Sequence, residues 1–294
     1  MPELPEVETV RRGLEPVLVG AAFARVEQRR ADLRVPFPER FPERLEGRRI
    51  LGLRRRAKYL LAQLDSGEVL AMHLGMSGAF TIRQPGREPC GMGEFLHTRG
   101  RDPRHDHVVF TLSNGITVTY NDARRFGSMA LVPEPELEEH PSFRSLGVEP
   151  LGNELHAHYL ARAAHERRTD LKAFLMDQRI VAGLGNIYVC EALFRARLSP
   201  LRGAASLTTR SGRPTARAER LVLSIRTVLE DAITAGGSSI RTYAAADGSP
   251  GAFQDAFDVY GREGEPCLRP GCRGTVRRST QGGRSSFFCP SCQR

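Results

Sequence analysis

The sequence predicts an α+β multidomain protein: a leading helix on a mostly antiparallel β-sandwich or barrel-like domain, then a helical domain, then a small cysteine-bound module. Three observations predict it. Short apolar or alternating runs separated by turn residues fill the chain to about residue 132. Apolar residues then switch to helical spacing, and four cysteines crowd the last 28 positions, from Cys267. At 294 residues the chain has length for about two sizeable cores. The expected divisions are 1–132 for the N-terminal domain, 133–152 for a linker, 153–255 for the helical domain and 256–294 for the C-terminal module.

The chain opens MPELPEVETVRRGL. Removal of the initiator methionine, usual before a small second residue, leaves Pro2 as a free secondary amine beside Glu3. An amine attacks a sugar carbon only when unprotonated. A terminal amine titrates near ~8 and a lysine near ~10.4, so roughly a few hundredfold more of the former is neutral at pH 7. Attack by Pro2 would give a cationic iminium, with Glu3 as the acid/base that shuttles protons. The same residues also read as a plain helix start, with Pro in the first turn, acids Glu3, Glu6 and Glu8 at the positive dipole end, and Val7, Val10, Leu14 and Val17 on one stripe. At this point both readings stand.

Lys plus Arg number 43 against 34 acids, for a net charge of +9 and a pI near 9.7, which suits a polyanionic partner such as nucleic acid. Arginine supplies all but two of the cations. Of the two lysines, Lys58 sits in the basic cluster Arg54-Arg55-Arg56-Ala57-Lys58-Tyr59 and is the one expected to have a function, whereas Lys172 falls in an ordinary helical pattern. No run of 18 apolar residues and no charged-then-apolar leader is visible, so the expectation is a soluble cytoplasmic protein with no membrane span.

Strand patterns fall at 60–64, 69–73, 80–82, 108–112 and 116–120, and Ser113-Asn114-Gly115 between the last two is a hairpin signal. Residues 83–104 are rich in Gly, Pro and charge and read as a long surface loop; its Cys90 has no evident partner. His105-Asp106-His107 reads as polar residues at a strand edge rather than a metal site. Two loops hold residues that a core does not explain: His73-Leu74-Gly75-Met76-Ser77-Gly78, and Asp122-Ala123-Arg124-Arg125-Phe126-Gly127. On a DNA-binding surface Met76 and Phe126 can wedge between base steps while Arg124 fills the space of an expelled base; routine packing is the alternative. Prolines and acids mark 133–152 as a seam.

Helical spacing follows at 157–164, 171–176, 186–195 and 216–235. The turn Gly183-Leu184-Gly185-Asn186 opens the third of these, where free backbone N–H groups suit a phosphate, although a simple interhelix turn reads as well. Residues 236–255, with Ile240, Tyr243 and Phe253 among glycines, are a mobile lid or a tether. Cys267, Cys272, Cys289 and Cys292 form C-x4-C-x16-C-x2-C, a spacing for four thiolates around one structural Zn2+. Binding energy of ~10–16 kcal/mol would fold so small a module. From Glu265 on there are six arginines and one acid, so the module's work is electrostatic. Cys190, on its helix, is expected to be buried.

Together the motifs PELPEVE, AKYL, HLGMSG, RRFG, GLGNIY, YGREGEPC and the four cysteines resemble the bacterial formamidopyrimidine-DNA glycosylase (Fpg, or MutM) family along nearly the whole chain. The resemblance implies an N-terminal catalytic β-sandwich, a helix–two-turn–helix domain with a lesion-capping loop, and a zinc finger, with double-stranded DNA bound in a cleft. It implies a bifunctional glycosylase and abasic-site lyase of base excision repair. Oxidised purines (8-oxoguanine and formamidopyrimidines) are excised through a Schiff base at Pro2, followed by β,δ-elimination, by a monomer at the bacterial nucleoid. In that scheme Pro2 is the nucleophile, Glu3 the proton donor and Lys58 a catalytic, phosphate-contacting residue. Met76, Arg124 and Phe126 fill the space of the flipped nucleotide, His105, Asn186 and Arg284 contact DNA, and Glu6, Arg241, Thr242 and Tyr243 border the lesion. One departure is the first cysteine pair, which has four residues between rather than two and leaves the finger's tilt and the reach of Arg284 open. Two rivals share parts of the pattern. The sister endonuclease VIII group acts mainly on oxidised pyrimidines; Leu4-Pro5, RRFG and the long 236–255 loop favour the purine branch. A non-enzymatic lesion-binding protein is disfavoured by Pro2, Glu3 and Lys58 together.

Overall fold

The computed structural model describes residues 2–86, 90–92, 102–238 and 253–294, with 90–92 described by backbone alone. The chain divides into two compact units, residues 1–144 with 232–254, and 145–231 with 255–294.

In chain order the first unit carries α1 (Leu4–Leu18), β1 (Phe23–Gln28), α2 (Phe41–Leu45), β2 (Ile50–Arg56), β3 (Tyr59–Leu64), β4 (Glu68–His73), β5 (Ala79–Arg83), β6 (Cys90–Met92), β7 (Asp106–Leu112), β8 (Thr117–Asn121) and β9 (Ser128–Pro133). They make two antiparallel sheets, ordered β2-β3-β4-β9 and β1-β7-β8-β5-β6. Alternate residues of four strands point inward: Leu60, Ala62 and Leu64 from β3, Leu70 and Met72 from β4, Val108, Phe110 and Leu112 from β7, Val118 and Tyr120 from β8. Two such faces packed on one another are a β-sandwich, and the α1 stripe of Val7, Val10, Leu14 and Val17 joins the same core. The hairpin expected at Ser113-Asn114-Gly115 joins β7 to β8, with Gly115 at φ +81°, a conformation glycine adopts without steric strain.

The sheet order corrects one expectation. His107 is not an edge residue: β7 lies between β1 and β8, and the His107 ring is buried with Nε2 2.8 Å from the Asp122 carbonyl. Of the 83–104 stretch only its ends and the short β6 are described; the Cys90 side chain lies outside the described residues. At the seam, the Glu134 carboxylate accepts from Arg54 on β2 at 2.8 Å and from Gln63 on β3 at 2.8 and 2.9 Å.

The second unit is built on α3 (Ala157–Ala164), α4 (Leu171–Met176), α5 (Asn186–Arg195) and α6 (Ala216–Thr234), followed by the hairpin β10 (Arg277–Gln281) and β11 (Arg284–Phe288). Asp170 caps α4 by accepting from the Ala173 N–H at 2.7 Å. On α6 the stripe of Leu221, Ile225, Val228 and Leu229 is fully buried. Helix α5 is enclosed on most sides, and even its Glu191 has no exposed surface. A buried carboxylate is tolerable only when its lone pairs are used. Glu191 accepts from three successive backbone N–H groups, of Asp258 (2.9 Å), Val259 (3.0 Å) and Tyr260 (2.8 Å), just before the cysteine module. Burial pushes its carboxyl up and those hydrogen bonds pull it back. Cys190, one residue earlier, is buried as expected. Among the described residues no helix is long and apolar enough to cross a membrane.

The Glu191 arrangement sets a stability prediction. Glu191→Gln leaves one oxygen for three N–H groups and turns an amide toward a donor, so urea unfolding should show a loss of about 1–3 kcal/mol; an unchanged midpoint would mean that the three bonds contribute nothing net.

Candidate active site and nucleic-acid interface

Pro2 and Glu3 are both buried at the head of α1. Glu6 holds them there. Its Oε2 accepts from the Glu3 N–H at 2.8 Å, while Oε1 accepts from the Ser238 N–H and Oγ, both at 2.8 Å. The carboxylate expected near the lesion therefore joins the N-terminus to the last described residue before the 239–252 segment. Arg241, Thr242 and Tyr243 fall in that segment and lie outside the described residues. One turn along α1, Glu8 accepts from Arg11 and Arg12 and pairs with Arg55 on β2 at 3.3 Å, and Arg11 also donates to the Leu53 carbonyl at 3.2 Å. Burial raises the Glu8 carboxyl, but the arginines outweigh it and the net shift is downward.

Strand β2 leads directly to Lys58, which is buried in the β2–β3 turn. Ala57 before it is left-handed, φ +51°, and Arg55 donates to its carbonyl at 3.0 Å. The charge of Lys58 reaches His73, the end of β4. His73 lies opposite Tyr59 in register, with ring centroids 4.7 Å apart. Its Nδ1 accepts from the Gly75 N–H at 3.0 Å, so the proton of the neutral ring is on Nε2. Burial, with Lys58 and Arg34 adding repulsion, pushes the imidazole down to about 4 against the opposing pull of Asp122. At neutral pH His73 is an uncharged donor in a cationic surrounding. Sequence reading passed over its role because a lone histidine ending a strand carries no signal of its own.

Met76 and Phe126 occupy neighbouring loops. Met76 is half-buried, Phe126 is 43% exposed, and the Arg124 guanidinium lies 4.7 Å from the Phe126 ring centroid. A cation over an exposed ring presents one flat polar–apolar surface. The loops approach so closely that a Cβ on Gly75 would meet the Phe126 carbonyl carbon at 2.3 Å. His105 is partly exposed just before β7, with its Nε2 4.0 Å from Asp102.

In the second unit, Asn186 opens α5, but its side chain is turned inward. Nδ2 donates to the Ser285 carbonyl at 3.0 Å and the Tyr260 hydroxyl at 3.3 Å, and the buried Oδ1 has no partner among the described residues. The amide thus orders the hairpin. Gln178 shapes the preceding turn, accepting from the Gly183 N–H at 2.9 Å and donating to the Leu184 carbonyl at 2.8 Å. Lys172 lies in a helix as its pattern predicts, but not on its surface. It is 2% exposed, its Nζ donates to Ser285 O at 3.0 Å and Ser286 Oγ at 2.6 Å, and burial pulls its ammonium down. Being one of only two lysines was the signal. Exposed Arg284 borders, with Lys172, Met176 and Gln281, a cavity of ≈ 320 Å³.

The four cysteine sulfurs lie within 4.8 Å of one another, with Cys267–Cys292 at 3.8 Å and Cys272–Cys289 at 3.7 Å. A tetrahedron with metal–sulfur bonds of ~2.3 Å has edges of about 3.8 Å. The set fits one structural zinc with every position filled by protein.

Comparison with known proteins agrees with this arrangement. Three family models match in order: the formamidopyrimidine-DNA glycosylase N-terminal domain over residues 1–129, its H2TH domain over 146–244, and the zinc finger found in FPG and IleRS over 264–294. A formamidopyrimidine-DNA glycosylase from Methylocella silvestris is 62% identical over 297 residues, and one from a Bradyrhizobium species is 58% identical over 294, each with 100% of both chains covered. Among solved structures, MutM (Fpg) of Thermus thermophilus aligns with a TM-score of 0.80 at 41% identity, covering 99% of this chain and 98% of that one. A Lactococcus lactis Fpg mutant in complex with Fapy-dG-containing DNA aligns with a TM-score of 0.83 at 32% identity, covering 100% of both. Lactococcus lactis Fpg with abasic-site DNA gives 0.82 at 32%, covering 99% of both.

Two outcomes follow from the geometry. A histidine kept neutral by the fold binds its proton only on unfolding, so its stabilisation is full above pH 6.5 and is lost as pH falls from 6.5 toward 4, by at most about 3 kcal/mol. Urea midpoints from pH 7 to pH 4 should fall less steeply for His73→Gln than for the native chain; parallel curves would mean that His73 is not held neutral. Replacing Cys289 by Ser should take zinc from about one per chain to near none by elemental analysis and weaken DNA binding; full zinc content in the variant would contradict the four-sulfur site.

Proposed function

This chain belongs to the formamidopyrimidine-DNA glycosylase family, and from that premise we propose that it excises oxidised purines by covalent catalysis at its N-terminus. It is a DNA glycosylase of base excision repair that acts on double-stranded DNA and carries one structural zinc. The observation that carries the mechanism is the immobilised N-terminus: Pro2 and Glu3 are buried, and the Glu6 carboxylate fixes them. A nucleophile held in place loses little entropy at attack.

In the proposed reaction the lesion nucleotide leaves the stack, at a cost of a few kcal/mol that is smaller for a damaged pair. Met76, Arg124 and Phe126 occupy the vacated space. The Pro2 nitrogen, free once Met1 is removed, donates its lone pair to C1′. The glycosidic bond breaks and its electrons leave with the base, which takes up the proton that the Pro2 nitrogen gives up on becoming tertiary. The sugar ring opens with protonation of O4′ by Glu3, giving an iminium between Pro2 and C1′. That cation acidifies C2′–H; loss of this proton expels the 3′ phosphate, and a second elimination expels the 5′ phosphate. Water then releases Pro2. Lys58 and neutral His73 supply a positive, hydrogen-bonding surrounding for the phosphates that leave. Asn186, through the backbone at its helix start, and Arg284 hold the DNA backbone, and exposed His105 adds a contact. Glu6 holds Ser238, and beyond it Arg241, Thr242 and Tyr243 are assigned in this scheme to the border of the lesion. The enzyme works as a monomer at the nucleoid. Formamidopyrimidines and 8-oxoguanine are the substrates.

Incubation with an 8-oxoguanine:cytosine duplex and borohydride, with mass spectrometry of the adduct, tests this. A covalent complex at Pro2 is expected. An adduct only with an oxidised-pyrimidine duplex would place the chain with the endonuclease VIII branch. Tight binding with no adduct, from protein shown to begin at Pro2, would favour a lesion-binding role.

A further inference from the structure

Asp122 was not singled out by the sequence, yet its carboxylate accepts from three partners, two of them on separate loops. It has no exposed surface. Its Oδ1 accepts from Ser77 Oγ at 2.5 Å; its Oδ2 accepts from the Gly127 N–H at 2.8 Å and the Tyr120 hydroxyl at 3.2 Å. Ser77 in turn accepts the Arg124 N–H at 3.1 Å, and the Asp122 carbonyl accepts the Arg125 N–H at 3.2 Å. One oxygen therefore holds the loop that carries Met76, and the other holds the loop that carries Arg124 and Phe126. Sterics reinforce the pairing: a Cβ on Gly127 would meet the Tyr120 hydroxyl at 1.9 Å. Burial pushes the Tyr120 phenol well above its ordinary value, with Asp122 adding to the shift, so it remains a donor.

We propose that Asp122 is a positioning residue that locks the Gly75–Ser77 and Arg124–Gly127 loops into one base-replacing unit, making sugar chemistry on duplex DNA depend on a carboxylate that does not touch the sugar. This rests on the reading that Met76, Arg124 and Phe126 fill the space of the flipped nucleotide. A side chain that replaces a base must match the stack's geometry, and two separately moving loops would each lose freedom on insertion. Loops joined in advance lose less. An amide at position 122 has one acceptor atom: with it turned to Gly127, the other arm offers Ser77 only a donor, so the hydroxyl must accept instead of donate and the charged bond joining the loops becomes a weaker neutral one. A single strand has no stack to refill, so the lock should matter only for duplex DNA.

The test compares borohydride trapping rates on one abasic-site oligonucleotide, single-stranded or paired, for the native chain, Asp122→Asn, Ser77→Ala and the triple variant Met76→Ala/Arg124→Ala/Phe126→Ala. Asp122→Asn is expected to slow duplex trapping about tenfold or more, the effect of losing one charged hydrogen bond, while single-strand trapping stays near the native rate. Ser77→Ala, which removes only one arm at a half-exposed site, should shift the duplex rate in the same direction by less, and it carries the test if Asp122→Asn does not fold. Equal loss on both substrates in both single variants would overturn the proposal in favour of a general structural role. Native rates on duplex for both, while the triple variant is slowed, would overturn it and leave the base-replacing role of the loops intact. A triple variant at the native duplex rate would overturn that role, and the proposal with it.

Discussion

The structure depends on one carboxylate that accepts from two distant parts of the chain. Glu6 is 2% exposed and takes the Glu3 N–H on one oxygen and the Ser238 N–H and hydroxyl on the other. An ion so deeply buried is tolerated only if every lone pair finds a donor. That requirement works in reverse as well: the donors have to be where the carboxylate is. The head of α1 and the residue that precedes the 239–252 segment are thereby fixed to each other, although they are 232 residues apart. A chain end otherwise frays, and this contact holds it. The acid pattern of the first turn thus serves the helix start and, in the proposed reaction, the placement of Pro2.

Similar economy recurs. Asp122 joins two loops, Glu191 gathers three successive N–H groups, and Lys172 satisfies a carbonyl and a hydroxyl of the zinc hairpin. In each case a charged group that is unfavourable to bury determines where its partners go. These residues carry no motif, since what they share is complete hydrogen bonding, a property of three-dimensional surroundings.

That difference explains what the sequence made legible. The four cysteines were visible because their chemistry lies in local spacing, and the same locality is why the opening residues, the Lys58 cluster and both glycine-flanked loops stand out as candidates. Strands β3, β4, β5, β7 and β8 were visible too, whereas β9 and the short β6, inside the stretch read as a surface loop, were not. Strands β1 and β2 were not, because each carries a register shift: Phe23 and Val26, like Ile50 and Leu53, face the core three residues apart. A bulge breaks the period of two on which the strand signal rests. His73 and Asp122 were quoted inside motifs with no role attached, since His73 becomes an uncharged donor only through burial beside Lys58 and Arg34. Lys172 was misjudged because helical spacing around it looked complete, although its rarity as a lysine was in view.

The four-residue spacer in the first cysteine pair left the reach of Arg284 open, and the hairpin resolves how the extra length is absorbed. The spacer Leu268-Arg269-Pro270-Gly271 turns with Gly271 at φ +76°, and Arg269 lays its guanidinium 4.6 Å from the Phe194 ring centroid while donating to the Phe194 carbonyl. Arg269 thus packs on α5 while Leu268, Pro270 and Gly271 stay exposed, and the sulfur pairs keep tetrahedral edges of 3.8 and 3.7 Å. Arg284 begins β11, a strand located independently of that spacer. Lys172 and Asn186 both donate to the carbonyl of Ser285, the next residue, and Lys172 also donates to Ser286. A carbonyl held by two donors from two helices fixes the backbone from which Arg284 projects. The length of the metal loop and the position of the arginine are thus decoupled, because zinc sets the first and the helices set the second.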